Sequence, residues 1–98
     1  MDESDRTPSS NVVDWVQVYD LEAEPGGVLE SEAHAPGSVE NLTVLQGQLR
    51  VTAGTDSFEG APGETLRYRC DLPHSIESTG EVIARAYMVL LMKGAVLK

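Results

Sequence analysis

Glu32-Ala-His-Ala-Pro-Gly-Ser-Val-Glu-Asn-Leu-Thr-Val-Leu-Gln-Gly47 is the stretch on which the reading of this 98-residue chain turns. Two residue types that bind metals or hold protons, His34 and Glu40, flank a Pro36-Gly37 turn. Strand-forming residues, 42–45, follow and stop at Gly47, which reads as a tight corner or bulge between two strands. The only other histidine, His74, stands next to Pro73 near the far end of the chain. A fold that returns His74 onto His34 and Glu40 would build a site from these three residues.

Working outward, residues 12–22 are valine-rich with Trp15 and Tyr19 and read as a first strand. Period two puts Trp15, Gln17, Tyr19 and Leu21 on one face and Val16, Val18 and Asp20 on the other. After the Pro25-Gly26-Gly27 turn a second strand is predicted over 28–34, with Val28, Glu30, Glu32 and His34 on one face. Residues 39–46 and 48–53 read as the next two strands. Gly54-Thr55-Asp56 and Ala61-Pro62-Gly63-Glu64 are turn signals around a short strand, 57–60. Strands over 66–69 and 74–77 follow. The longest apolar run, 82–92, is long enough for a helix, but its place after six short strands favours a strand. Short strands punctuated by Gly and Pro predict an all-β sandwich or barrel. The organisation expected is a mobile tail over 1–11, one domain over 12–93, and a C-terminal tail over 94–98. Trp15 reads as a core or dimer contact.

Charge and composition exclude several classes. Seven Lys and Arg against sixteen Asp and Glu leave a net charge of -9. This argues against direct nucleic-acid binding, which needs a clustered basic face, and against an anionic membrane surface. No apolar run approaches the roughly 18–20 residues that span a bilayer. The acidic start, Met-Asp-Glu-Ser-Asp, lacks the apolar core of a secretion signal. The single cysteine, Cys70, excludes an internal disulfide, reads as an inert small residue, and fits a reducing, cytoplasmic setting. Asn41-Leu42-Thr43 matches a glycosylation sequon, but inside a strand it reads as coincidence.

Two spacings carry a resemblance. Gly26, five residues, Glu32-Ala33-His34, a gap, Glu40, six residues and Gly47 follow one pattern; Gly63, five residues, Arg69-Cys70-Asp71, two residues, His74, three residues and Ser78 follow another. Over residues 16–91 the chain resembles the cupin superfamily, whose two motifs have this form. The departures are Glu32 for the first histidine, a five-residue gap after His34, Arg69 and Asp71 for a proline and a glycine, and Ser78 for an asparagine. The resemblance implies a cupin-type jelly-roll β-barrel, and a divalent metal held by His34, Glu40 and His74, with Glu32 as a fourth candidate. Zn, Fe, Mn and Ni all suit such a ligand set. The two quoted stretches are also similar to the cupin domain at the C-terminus of XRE-type helix-turn-helix regulators. There the cupin resembles a small-molecule sensor, with DNA binding on a separate helical domain. The eleven-residue tail is too short for those helices, so the chain reads as a stand-alone relative or an excised effector domain.

Each site residue has a plainer alternative. The interior can be polar and hydrogen-bonded without metal, and Glu30 and Glu32 can be a solvated acidic strand end. Arg85 and Tyr87 share a face of the last strand. That face is either ordinary solvent-facing alternation or an inward arginine that binds a ligand carboxylate, which makes Arg85, Tyr87 and Glu32 the ligand-binding candidates. The functional expectation is a sensor-type cupin for a small anionic or amino-acid-like molecule, related to effector domains of transcription regulators. The alternative is a small metal-dependent enzyme (a dioxygenase, isomerase or lyase) with Glu32 as general base. A homodimer is expected, paired through the apolar runs 12–18 and 82–92.

Overall fold

A computed structural model describes residues 15–92. The predicted tails, residues 12–14 of the first predicted strand and the side chain of Trp15 lie outside the described part. Within it the chain forms eight strands: β1 Trp15–Ala23, β2 Val28–Ser31, β3 Val39–Gln46, β4 Leu49–Ala53, β5 Asp56–Gly60, β6 Thr65–Arg69, β7 His74–Ser78 and β8 Ala84–Met92. They make two four-stranded antiparallel sheets, in the orders β1-β8-β3-β6 and β2-β7-β4-β5. Successive strands alternate between the sheets, as in a jelly roll, except at the β4–β5 hairpin, whose two strands pair in the second sheet, so the all-β expectation holds.

The core is the space between the sheets. Leu42, Val44, Leu49 and Val51 are fully buried, with Ala84, Ala86, Met88, Leu90 and Ile76 packed around them. Alternation decides which residues enter. Across the first sheet the register places Leu90, Glu40 and Tyr68 in one inward row and Met88, Leu42 and Leu66 in the next. Outward rows run Val16–Leu91–Val39–Arg69 and Val18–Val89–Asn41–Arg67. Asn41 of the sequon lies inside β3, hydrogen-bonded to Arg67 Nη1 at 3.4 Å.

Gly47 carries the chain from β3 in one sheet to β4 in the other. Its φ of 76° lies in the left-handed region, and an added Cβ would stand 2.8 Å from Ala84 Cα. The corner therefore demands glycine for both conformation and space. A register shift between Val44 and Gln46 against β8 accompanies it.

Two expectations need correction. The sheets do not close into a barrel. At one edge β5 turns directly into β6, and buried Gly60 packs against Leu66 and Val44. At the other edge β2 has only four residues against nine in β1, too few to seal it. Tyr19 on β1 and Leu29 on β2 face inward by register, yet 45% and 46% of their surface stays exposed. The second correction is that β2 ends at Ser31 instead of residue 34. Ser31 pairs with His74, and the next pairing would oppose Pro73, which has no N–H to donate to the ladder. Residues 32–38 form a loop.

Candidate metal centre

Three elements and one loop converge at the end of the sandwich. Glu40 is the second residue of β3 and Tyr68 stands directly opposite it on β6. His74 opens β7 in the other sheet and faces Glu40 across the interior. His34 comes from the 32–38 loop. That loop is tied to the segment before β7 by backbone bonds from His34 N–H to Cys70 O, 2.8 Å, and from Cys70 N–H to Ser38 O, 3.1 Å. A third tie runs from Gly37 N–H to Asp71 Oδ2, 2.8 Å. Arg69 also donates to both oxygens of Asp71, at 3.0 and 3.2 Å. The Arg69 guanidinium, with the Gly37 amide, holds the Asp71 carboxyl below its ordinary value.

Glu40 is 2% exposed and His74 5%, while the His34 side chain keeps 32% of its surface. The site thus has a dry floor and one wet edge. Glu40 Oε2 lies 3.2 Å from His74 Nε2 and 3.5 Å from His34 Nε2, and the two rings sit 5.3 Å apart, centroid to centroid. His74 Nδ1 is 2.7 Å from the carbonyl oxygen of Leu72. A carbonyl can only accept, so Nδ1 carries the hydrogen. Nε2 is left to meet Glu40 Oε2 at 3.2 Å, and the contact is satisfied by a cation held between the two atoms or by a hydrogen on Nε2. One ligand atom from each of His34, Glu40 and His74 lies within 4.8 Å of the others. Metal–ligand bonds of about 2.0–2.2 Å put neighbouring ligand atoms roughly 3.0–3.5 Å apart, close to the two distances from Glu40 Oε2. The residues present therefore fit a divalent cation, with the Leu72 carbonyl orienting His74 as an outer partner.

The other sequence-predicted residues are elsewhere. Glu32 is exposed in the loop and is not part of the cluster. Arg85 and Tyr87 face outward from β8; Arg85 Nη2 pairs with Glu22 Oε2 at 3.0 Å. Their inward neighbours, Ala84, Ala86 and Met88, fill the core instead.

Three residues at the centre were not singled out from sequence as site residues. Tyr68 is 4% exposed and donates its hydroxyl to Glu40 Oε1 at 2.6 Å. Burial, and then the bond to Glu40, push its acidity far below that of an ordinary phenol. Its signal was its place between the outward Arg67 and Arg69, which puts a tyrosine inside, where its hydroxyl needs a partner. Ser38, opposite Cys70 at the end of the β3–β6 ladder, is fully buried, and its Oγ has no hydrogen-bond partner. Cys70 is likewise buried. Burial, with Glu40 and Asp71 nearby, pushes its thiol up to about 12, so it stays protonated and unreactive.

The model of the cupin domain family matches residues 19–90. Among solved structures, the cupin domain of an XRE family transcriptional regulator from Enterobacter cloacae superimposes with a TM-score of 0.71 at 18% identity, covering 82% of this chain and 95% of that one. An HTH_3 family transcriptional regulator from Vibrio cholerae gives 0.73 at 23% identity, over 79% of this chain but 43% of that protein. A sugar phosphate isomerase of the cupin superfamily from Silicibacter pomeroyi gives 0.62 at 20% identity, over 79% and 50%. At these identities the likeness is one of fold. No curated protein matches the sequence significantly.

Proposed function

We propose, from the premise that this chain belongs to the cupin domain family, that it is a ligand-binding domain in which a divalent cation at His34, Glu40 and His74 holds a small anionic molecule. The observation that carries this reading is the convergence of the three side chains, one ligand atom from each within 4.8 Å of the others, with His74 Nδ1 committed to the Leu72 carbonyl and Nε2 turned to Glu40. A bound divalent cation supplies Lewis acidity and an attachment point for an anion. Glu40 contributes one negative charge and two neutral imidazoles none, so the loaded centre carries a net single positive charge and suits a carboxylate-type ligand. Among the described residues the buried polar and charged side chains are Ser38, Glu40, His74 and Ser78. No arginine or lysine among the described residues is buried inside to bind an anion without the metal. Ser38 Oγ, buried and unpartnered, is a second anchor for the ligand.

The enzyme reading uses the same three ligands, and the sugar phosphate isomerase shares the fold. Binding is favoured over turnover because Glu32, the expected general base, is exposed and outside the cluster. The resemblance to regulator cupin domains supports a sensor role. The free, buried Cys70 is consistent with a reducing, cytoplasmic location.

Pairing of two copies is read from the outer face of the first sheet. There Val16 and Val18 are 57% and 67% exposed beside Tyr87. The β1 edge of that face carries Asp20 and Glu22 and the β6 edge Arg67 and Arg69, so a two-fold axis through the apolar centre sets acid against base.

The test is calorimetry on chelator-stripped protein. Wild type is expected to bind one Zn(II) or Mn(II), and His74→Ala to bind none. Small carboxylates are expected to raise the melting temperature of the loaded protein only. A carboxylate effect that persists in stripped protein or in His74→Ala sinks the assignment.

A further inference from the structure

The two oxygens of Glu40 have different surroundings. Oε2 faces both histidines, at 3.2 and 3.5 Å. Oε1 accepts the Tyr68 hydroxyl at 2.6 Å. The two side chains are direct cross-strand partners on the inner face of the first sheet, and both are almost fully buried. Such a pair has no water to exchange with and little room to turn.

We propose that Tyr68 is a specificity-determining positioning residue that restricts Glu40 to one metal-facing oxygen and so biases which cation the centre accepts. This inference rests on the metal-site reading above. Different cations ask different things of a carboxylate. Zn(II) and similar ions complete a small shell of imidazole nitrogen and single carboxylate oxygens. Large, hard ions prefer more oxygen ligands and often take both oxygens of a carboxylate. For Glu40 to offer both, Oε1 would have to turn away from Tyr68. That strands a phenol hydroxyl in the core, and an unsatisfied buried donor is costly. Single-oxygen ligation keeps the bond. Tyr68 therefore acts on the metal only through Glu40.

The experiment compares wild type with Tyr68→Phe, which keeps the ring and removes the hydroxyl. Circular dichroism and a melting curve establish that the variant is folded. Zn(II) and Mn(II) affinities are then measured by competition with a chromophoric chelator. Loss of an outer-shell partner is expected to weaken Zn(II) about tenfold. Mn(II) is expected to weaken little, because Glu40 is now free to offer both oxygens, so the Zn(II):Mn(II) affinity ratio falls. A ratio that stays or rises, including an equal fall in both affinities, overturns the proposal and leaves Tyr68 a structural residue. Should Tyr68→Phe not fold, wild type decides. A slowly exchanging tyrosine hydroxyl proton in the NMR spectrum is expected to survive Zn(II) loading, and its loss on loading overturns the proposal. If wild type binds neither metal, the metal-site reading fails and the Tyr68 role with it; if wild type binds and the ratio is unmoved, only the role fails.

Discussion

At the scale of single residues, two of the three ligand candidates were legible because histidine is scarce, and Glu40 through the spacing it shares with the cupin motif. The chain has two histidines, and a fold that wraps the chain back on itself brings them together. Tyr68 was not legible as a partner of Glu40, because the contact depends on β3–β6 register, and register joins residues 28 positions apart. Asp71 shows a similar dependence. It stands where the family pattern has glycine, and its carboxylate ties the His34 loop to the strand system. The Asp71 carboxyl is held low in the folded state, chiefly by Arg69. Its stabilising effect is therefore fully present above the unfolded value, about 3.9, and fades as pH falls through the lower folded value. Asp71→Asn is expected to melt earlier than wild type at pH 7, and the gap is expected to close as the pH falls below about 4. Melting curves of both proteins across that range check it; a gap that stays constant would remove the carboxylate's charge from the explanation.

At the scale of elements, turn chemistry gave good boundaries and strand periodicity gave poor ends. Gly47 was read as a corner, and it is the point where the chain changes sheets. Its left-handed φ and the 2.8 Å approach of Ala84 Cα leave no room for a side chain. Gly47→Ala is expected to cost about 1–3 kcal/mol, from strained backbone alone, with the contact adding to it. Urea denaturation measures this, and a loss well under 1 kcal/mol would contradict it. Periodicity carried β2 on to His34, whereas the strand stops at Ser31 because Pro73 cannot pair with Glu32. That ending separates two residues that were expected to share a strand face. His34 turns to the centre from a loop and Glu32 stays in water.

At the scale of the molecule, the two sheets meet along one edge and part along the other. The open edge leaves Tyr19 and Leu29 half exposed, and the outer face carries Val16, Val18 and Tyr87. Burying such a face is favourable by roughly 25 cal/mol per Å² of apolar surface. Wild type is expected to scatter light as twice the 10.6 kDa chain. Val18→Asp places a charge on the most exposed valine of that face, at the β1 end of an outward row, and is expected to give a monomer of the same secondary structure. Monomeric wild type at high micromolar concentration, or dimeric Val18→Asp, would count against pairing through this face. No helix among the described residues is long and apolar enough to cross a membrane.

The sequence by itself determined the class of the fold, the strand count to within the described part, the sheet-changing corner and the identity of the three convergent ligand candidates. These follow from alternation, turn residues, the rarity of histidine and, for Glu40, the resemblance to the cupin motif. Only the tertiary structure decided that Arg85 and Tyr87 face out, that Glu32 is left behind in the loop, that the barrel stays open, and that Tyr68 secures Glu40. Each of these depends on which residue stands opposite which across a sheet or between sheets. That pairing is set by strand register and by how far each strand extends before its partner ends.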